Sequence, residues 1–266
     1  QADPPPEHPR AWVIRVATRL DIDHLRRLRD RREQHVGSWL PDFLMAGPDP
    51  EADVAQTESL SIALLVVLET LSPAERAAFV LHDVFGYGYD ELAGILDRDQ
   101  TACRQLVARA RKHLEDGRPR YEADAAKRAE VTFAFSAPAP RATWTGLVGV
   151  LADDVVLRAD SNGKRPSPRK PLLGPRSVIK FLRGIRTKTA GRTDFGVTMV
   201  NGTPALVVWM AGEPDSIYAH EVADGRITAI HCLRDPDRVR DALDRAPFPP
   251  LEVDPDDPPE VPPVLS

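Results

Sequence analysis

The sequence has few cysteines and no long hydrophobic run. Only two cysteines, Cys103 and Cys232, occur among 266 residues, and no Cys-x-x-Cys pair is present. This excludes a disulfide framework and a cysteine-rich zinc site, and it makes a reducing cytoplasm the expected compartment. The longest apolar run, Ile62 to Leu68, is far shorter than the roughly 18 residues of a membrane span, so no membrane partner is expected. The sequence has no signal peptide pattern. Because it begins with Gln1 rather than Met, we expect a fragment of a longer gene product.

Motifs of catalysis are also missing. The sequence has no His-Glu-x-x-His, no Gly-x-Ser-x-Gly and no phosphate-binding loop, so it predicts no catalytic residue, no metal site and no cofactor. Lysine is scarce, at six of the 35 basic residues, and the net charge of −5 predicts no overall attraction to nucleic acid. The positions of the arginines are therefore more informative than the total charge.

The first helical stretch, Arg10 to Glu33, carries eight arginines against four acidic residues. The spacing of its apolar residues predicts one buried face. That face comprises Trp12, Val16, Leu20, Leu25 and Leu28. Arg15 and Arg19 lie on the other face, where they would contact DNA phosphates; a solvated helix explains the same pattern, so both interpretations stay open.

Residues 37–53 have the composition of a linker. Three prolines interrupt regular structure, yet Trp39, Leu40 and Phe43 are apolar. Apolar side chains in a proline-rich segment predict a tether that docks on another part of the protein.

Residues 54–118 contain the pattern of four helices. The first spans 54–69, and the second begins with Ser72-Pro73-Ala74-Glu75, which supplies an N-cap, a proline in the first turn and a capping box. The third spans 89–96, and Asp99 can cap the fourth, which extends to about residue 114. The three-residue turn 97–99 between the last two helices is typical of a helix-turn-helix.

The fourth helix separates apolar from polar residues by its helical phase. The residues that would face the core are Cys103, Leu106, Val107, Ala110 and Leu114, which makes Cys103 a buried thiol. The outward residues are Arg104, Gln105, Ala108, Arg109, Arg111 and Lys112. Arginine and glutamine near the start of a recognition helix pair with guanine and adenine edges, and basic residues further along hold phosphates. A solvated basic helix has the same pattern, so the spacing alone leaves both interpretations open.

The pattern changes at about residue 121. Two helical stretches, 121–136 and 141–151, precede a β-rich segment. Strands are predicted at 155–159, 194–201, 204–210, 216–223 and 226–233, with a helix at 174–185 and a loop or edge strand at 166–171. Because Asn201-Gly202 and Asp224-Gly225 predict tight hairpins, the segment is predicted to be an α+β domain with an antiparallel meander. Eight prolines and seven acidic residues in 241–266 predict an extended or disordered tail.

Several of these segments resemble one protein family. Region four of bacterial sigma-70 family factors is resembled by three segments: Leu71–Leu81, Tyr89–Leu96 and Ala102–Arg111. The end of region two is resembled by Pro9–Trp12 with the following helix. Trp39-Leu40-Pro41-Asp42 resembles the Trp-Leu-Pro-Glu linker signature of one extracytoplasmic-function (ECF) subgroup. In that subgroup a SnoaL-like domain of the NTF2-like cone fold follows region four.

Motifs in the second half agree with this resemblance, with some departures. The segment 160–164, Asp-Ser-Asn-Gly-Lys, resembles the subgroup's Asp-Gly-Gly-Gly-Lys loop, and 235–239, Asp-Pro-Asp-Arg-Val, resembles its Asn-Pro-Asp-Lys-Leu motif. Asp235 and Arg238 thus replace Asn and Lys. Asp97 replaces the glycine usual in the helix-turn-helix turn, and Asp tolerates positive φ better than most residues.

The resemblance implies a multidomain fold: all-α sigma regions followed by an α+β NTF2-like cone. The domains would be 1–36 (end of region two), 37–53 (linker), 54–118 (region four), 119–240 (SnoaL-like domain) and 241–266 (tail). It also implies a transcription initiation factor that binds core RNA polymerase and promoter DNA, reads the −35 element and is regulated by the cone. The earlier helices of region two, which in the family clamp polymerase and help melt the −10 element, are absent from this sequence, so we expect impaired initiation.

The polar residues of the second domain leave an alternative open. Asp160, Lys164, Asp194, His220 and His231 include an Asp–His pair suited to general acid–base chemistry, although both histidines also fit ordinary strand positions. The second domain would then be a small-molecule enzyme fused to a DNA-binding module. Alternatively, it would be a sensor that binds an unknown ligand, and the chain would act as a repressor or activator. The predicted regulatory loop and pocket comprises Trp39, Leu40, Pro41, Asp160, Gly163, Lys164, His220, Asp235, Pro236 and Asp237.

Overall fold

The computed structural model describes residues 9–45, 62–116, 131, 148–189 and 193–245. The chain divides into two compact units. The helix-turn-helix unit contains residues 1–34 and 64–118, and the cone unit contains residues 35–63 and 119–266. None of the helices in the described ranges is long and apolar enough to cross a membrane.

The helix-turn-helix unit is built from helices around one apolar core. The helices are α1 (Pro9–Glu33), α2 (Ile62–Leu68, which begins just before the unit), α3 (Pro73–Phe79), α4 (Tyr89–Leu96) and α5 (Gln100–Asp116). A single π-helical turn, Val80–Val84, continues α3. The core contains Ala78, Leu81, Leu92, Ile95, Cys103, Leu106 and Val107. Residues 54–61 of the predicted first helix lie outside the described residues.

The start of α3 has the predicted capping box. The Glu75 backbone N–H donates to Ser72 Oγ at 3.3 Å, and the Glu75 carboxylate accepts from the Ser72 backbone N–H at 3.0 Å. Two helix-end donors are satisfied in this way, and Pro73 occupies the first turn, where its missing N–H costs nothing.

The turn between α4 and α5 is also as predicted. Asp97 adopts a left-handed conformation with φ of 55° and ends α4. Asp99 Oδ1 then accepts the backbone N–H of Ala102 at 2.7 Å, which caps α5. A residue other than glycine is therefore compatible with the tight turn that sets the direction of α5.

The buried face of α1 differs from the prediction. Trp12 and Leu20 are 53% and 62% exposed, whereas Ile14 packs against the helix-turn-helix core. Ile22 is half-buried. The prediction was wrong for Trp12 and Leu20, because the inward stripe starts at Ile14, which lies more than half a turn around the helix from Trp12. Val16, Leu25 and Leu28 are half-buried, as predicted.

The cone unit contains a six-stranded mixed sheet. Its strands are β1 (Leu151–Asp160), β2 (Leu172–Leu173), β3 (Thr193–Val200), β4 (Thr203–Met210), β5 (Glu213–Ala223) and β6 (Arg226–Leu233), in the order β2-β1-β6-β5-β4-β3. The predicted antiparallel meander is β3 to β6. Strand β1 pairs with β6 in parallel, which the sequence analysis did not predict. The all-α segment followed by an α+β domain confirms the predicted fold class.

Tight turns connect the meander. Asn201-Gly202 and Asp224-Gly225 both have two successive residues with positive φ, as the predicted hairpins require. Ala211-Gly212 forms a third such turn, with φ of 55° and 83°, which the sequence analysis missed because alanine rarely occupies this conformation.

The sheet is covered on both faces, so β4, β5 and β6 contain runs of consecutive buried residues. Helix α6 (Gly174–Thr189) packs against β1 and contributes Val178 to a core that includes Leu157 and Ile230. Helix α7 (Pro236–Arg245) packs against β5. The predicted stretches 121–136 and 141–151 fall largely outside the described residues.

The predicted start of the tail at residue 241 is wrong. Residues 241–245 are the second half of α7, in which Val239, Ala242 and Leu243 are buried. Their spacing of three and four residues forms one apolar stripe, which binds the helix to the domain. Residues 246–266 lie outside the described residues.

Candidate nucleic-acid interface and linker-binding site

The outward face of α5 is the candidate nucleic-acid interface. We call it the recognition face; it comprises Arg104, Gln105, Ala108, Arg109, Arg111 and Lys112, and all six are exposed. On the inward side Cys103, Leu106, Val107 and Ala110 are buried, so the predicted helical phase is confirmed. Burial also raises the pKa of the Cys103 thiol, which keeps it in the protonated, unreactive form.

Two arginines of the recognition face pair with acidic residues of the same unit. Arg109 Nε donates to Glu75 Oε1 at 2.8 Å, and Arg111 Nε donates to Asp83 Oδ2 at 3.0 Å. The hydrogen bond to Asp83 raises the pKa of Arg111. Neither pair was predictable from the sequence, because the paired residues lie 34 and 28 positions apart along the chain.

At the start of α5, Arg104 contacts an aromatic ring rather than a carboxylate. The guanidinium of Arg104 lies over the Tyr89 ring, 5.3 Å from its centroid, which orients the side chain at the end of the helix that would enter a groove. On α1, Arg15 and Arg19 are exposed, and Arg19 lies 3.7 Å from Asp97. Both partners of that pair are well exposed, so it contributes little and leaves Arg19 available to phosphate.

Asp160, the last residue of β1, is the centre of the linker-binding site. Its side chain is fully buried. Its Oδ2 atom accepts the backbone N–H of Leu40 at 2.9 Å and Arg238 Nη1 at 2.5 Å. Its Oδ1 atom lies 2.7 Å from His35 Nε2, at ion-pair distance but without an aligned hydrogen bond. The buried carboxylate therefore holds both the segment 35–40 and α7.

The linker continues along the cone after Leu40. Leu40, Pro41 and Phe43 are buried. The Leu44 N–H donates to Asn201 Oδ1 at 3.2 Å, and the Asn201 N–H donates to the Leu44 carbonyl at 2.8 Å. The prediction of a docking tether is confirmed for residues 37–45, and the surface on which it docks is the cone.

The loop after β1 is shaped for close approach of the linker. Asn162 and Gly163 have φ of 49° and 70°, and the Lys164 N–H donates to the Ser161 carbonyl at 2.9 Å. A Cβ atom added to Gly163 would lie 3.2 Å from Val36 Cβ. The tight turn therefore accepts Asn at 162, which tolerates the left-handed region, whereas position 163 has little room for a side chain.

Lys164 joins this loop to the start of α7. Its Nζ lies 2.9 Å and 3.1 Å from the two carboxylate oxygens of Asp235 and 2.6 Å from Asp237 Oδ2. These hydrogen bonds raise the pKa of Lys164. Burial opposes ionisation of Asp235, but the hydrogen bonds from Lys164 and the Asp237 N–H outweigh it, so the pKa of Asp235 is lowered. Asp235, at a position where the resembled motif has Asn, therefore carries a negative charge that is paired with Lys164.

The Asp–His pair of the alternative interpretation is not formed by Asp160 with His220 or His231. Strand alternation places His220 on the same face of the sheet as Tyr218, which belongs to the apolar core. Asp160 lies on the opposite face of the sheet. The imidazole beside Asp160 is that of His35, which the sequence analysis missed. His231 Nε2, on a side chain that is 1% exposed, instead lies 2.5 Å from Glu221 Oε1 on the neighbouring strand β5. Asp194 is exposed on β3.

Comparisons with known proteins show similarity across both units. The family described as Sigma-70, region 4 matches residues 61–114. The ECF RNA polymerase sigma factor SigJ of Mycobacterium tuberculosis is 36% identical over 251 residues, which cover 86% of this chain and 78% of the relative. The probable ECF RNA polymerase sigma factor SigI of the same organism is 30% identical and covers 85% and 77%. The crystal structure of SigJ covers 92% of this chain and 85% of its own, at 31% identity and a TM-score of 0.70.

Proposed function

The chain belongs to the extracytoplasmic-function RNA polymerase sigma factor family, and we propose that it directs core RNA polymerase to promoters in the cytoplasm. In this proposal the recognition face of α5 reads the −35 element, and the cone unit regulates the factor through the linker. Reading of the −35 element by α5 is supported by the recognition face itself. This face has six outward residues, four of them basic, and the opposite side of the helix is buried in the core.

The residues of the recognition face have different tasks in this proposal. Arg104 and Gln105 lie in the first turns of α5, where a recognition helix contacts base edges, and their side chains match guanine and adenine. Lys112, two turns further along, contacts phosphate and fixes the register without reading sequence. Arg109 and Arg111 already have carboxylate partners, which hold their guanidinium groups in place on the same face.

The cone unit regulates by controlling the linker, because the linker connects the two sigma regions. A buried carboxylate, a backbone pair at Asn201 and buried Leu40 and Phe43 together favour the docked linker. Docking restricts the positions that the two DNA-contacting regions can adopt. Any partner that binds the docked and released forms with different affinity shifts the balance between them.

The DNA part is tested by Arg104→Ala and Lys112→Ala. DNA sequences bound by the chain with core polymerase are first selected from a random pool, and affinity is then measured on the selected and on unrelated DNA over a salt series. Arg104→Ala should cost about 1–3 kcal/mol on the selected sequence and relax the preference at one base pair. Lys112→Ala should weaken both DNAs alike and reduce the salt slope by about 0.9.

The two variants control for each other, since both remove one charge from the same helix. Equal losses on selected and unrelated DNA for Arg104→Ala would mean that this residue does not read bases. Failure of the chain with core polymerase to enrich any sequence would contradict the proposed function as a whole.

A further inference from the structure

The cone unit contains a strongly basic segment in a chain that is acidic overall. Residues 161–193 include ten basic residues and no acidic residue. Because the whole chain has a net charge of −5, these ten positive charges leave −15 on the rest of it. The segment also holds four of the six lysines, although arginine predominates in the rest of the chain. Positive charge is therefore concentrated in one place, as a surface that binds a polyanion requires.

Helix α6 places the residues of this segment on two opposite sides. Arg176, Lys180 and Arg183 are exposed and follow each other at spacings of four and three residues, so they lie on one face of the helix. On the other side Val178 is buried, and Leu182 packs against the same core. We call the three exposed residues the basic row.

The basic row lacks the acidic neighbours that α7 has. Three of the ten residues of α7 are acidic, and its Arg240 lies 3.8 Å from Asp237 Oδ1. Helix α6 contains no acidic residue, and within the described part of the chain neither Arg176 nor Lys180 lies at ion-pair distance from a carboxylate. Like charges three or four residues apart destabilise a helix, so such a row is unfavourable unless a partner neutralises it.

Duplex DNA is the polyanion that fits the basic row best. The seven residues between the ends of the row span about 10 Å of helix. A duplex presents a phosphate charge about every 1.7 Å along its axis, so each cation can face a phosphate. A membrane fits less well, because the apolar side of α6 is buried in the core and cannot insert into lipid. A protein partner fits less well too, since the only aromatic residue of α6, Phe181, packs against the core instead of forming an anchor.

We propose that the basic row is a second nucleic-acid contact of the chain, which binds DNA phosphates without reading sequence. This rests on the proposed function only in taking promoter DNA as the polyanion on which the chain works. The cone then contributes affinity for any duplex, whereas the preference for particular bases stays with the recognition face of α5.

The test is Arg176→Gln with Lys180→Gln in the full chain. Affinity is measured on the selected duplex and on an unrelated duplex between about 50 and 200 mM salt. The charge control is Arg240→Gln with Arg245→Gln, which removes two exposed arginines from α7 and changes the net charge of the chain by the same amount. The packing control is Arg176→Lys with Lys180→Arg, which keeps both charges. Hydrogen exchange of β5 amides reports that the cone is folded.

Arg176→Gln with Lys180→Gln should weaken binding to both duplexes alike, by at least about tenfold at about 100 mM salt. The salt slope should fall by about 1.8, because each lost phosphate contact contributes about 0.9. Both control variants should stay within about twofold of the unmodified chain, since neither removes a charge that faces a phosphate.

Equal losses in the α6 and α7 variants would show a general effect of net charge and would overturn the proposal. So would an unchanged salt slope after Arg176→Gln with Lys180→Gln. Unchanged DNA affinity together with lost binding to phosphatidylglycerol vesicles would assign the basic row to a membrane surface instead. Affinity for the unrelated duplex does not depend on base reading, so failure of the basic row is distinguishable from failure of the recognition face, which Arg104→Ala reports.

Discussion

His220 is a buried imidazole whose surroundings oppose protonation. It is 5% exposed, and burial together with the neighbouring His231 lowers its pKa to about 3. In the unfolded chain the pKa is that of an ordinary histidine, near 6.5. Between these values the unfolded chain binds a proton that the folded chain does not, so this residue makes the free energy of unfolding fall as the pH falls.

The pH dependence provides a test of this assignment. Replacing His220 with Gln should flatten the decline of the free energy of unfolding below about pH 6, where one such group contributes up to about 1.4 kcal/mol per pH unit. Urea unfolding at a series of pH values measures the slope, and His113→Gln, a change at an exposed position on α5, is the matched control. A slope that is the same in His220→Gln and in the unmodified chain would show that another group is responsible.

Residue roles were predictable from sequence where they depend on local geometry. The exposed and buried sides of α5 follow from helical phase, and the caps at Ser72 and Asp99 follow from spacings of three residues. The roles of His35 and Arg238 depend on contacts with a strand end more than 70 residues away, for which the sequence carries no periodic signal.

At the level of elements, α7 belongs to the cone. The helix packs against β5, and its first turn carries Asp237, which contacts Lys164, and Arg238, which contacts Asp160. The many prolines and acidic residues around α7 are typical of a disordered tail. The apolar stripe of three buried residues nevertheless holds this ten-residue helix against the domain.

Removing part of this stripe should destabilise the cone. Leu243→Ala should lower the free energy of unfolding by about 2–4 kcal/mol, because a 9% exposed leucine leaves a cavity when truncated. Leu173→Ala in β2 is the same substitution at a 67% exposed position and should cost less than about 0.5 kcal/mol. Chemical unfolding monitored at Trp209 provides the measurement. Equal losses in the two variants would mean that α7 is not part of the folded domain.

Element existence was easier to predict than element pairing. The meander from β3 to β6 was predictable because hairpin turns join neighbours in sequence, with Asn-Gly and Asp-Gly at two of them. The parallel pairing of β1 with β6 joins strands about 70 residues apart, and no local turn marks it. That pairing places Asp160 beside Leu233, just before α7, and thereby creates the linker-binding site.

At the scale of the whole molecule, the linker groups with the cone rather than with the helix-turn-helix unit. The cone therefore holds residues 35–45, the segment that follows α1 in the chain. Family resemblance indicated which motifs to compare, but only the folded chain brings the linker, the loop at 160–164 and α7 to one buried carboxylate.

We propose that docking of residues 35–45 on the cone controls promoter activity. Asp160→Asn removes the buried charge, and Asp153→Asn, the same change at a fully exposed position of the same strand, is the control. Promoter-specific transcription by core polymerase is measured with each substitution placed in a chain that also contains a complete region two, and hydrogen exchange at Leu40 reports linker release. We predict that Asp160→Asn speeds Leu40 exchange and changes transcription by about fivefold or more, while Asp153→Asn changes neither. A released linker with unchanged transcription would contradict the account.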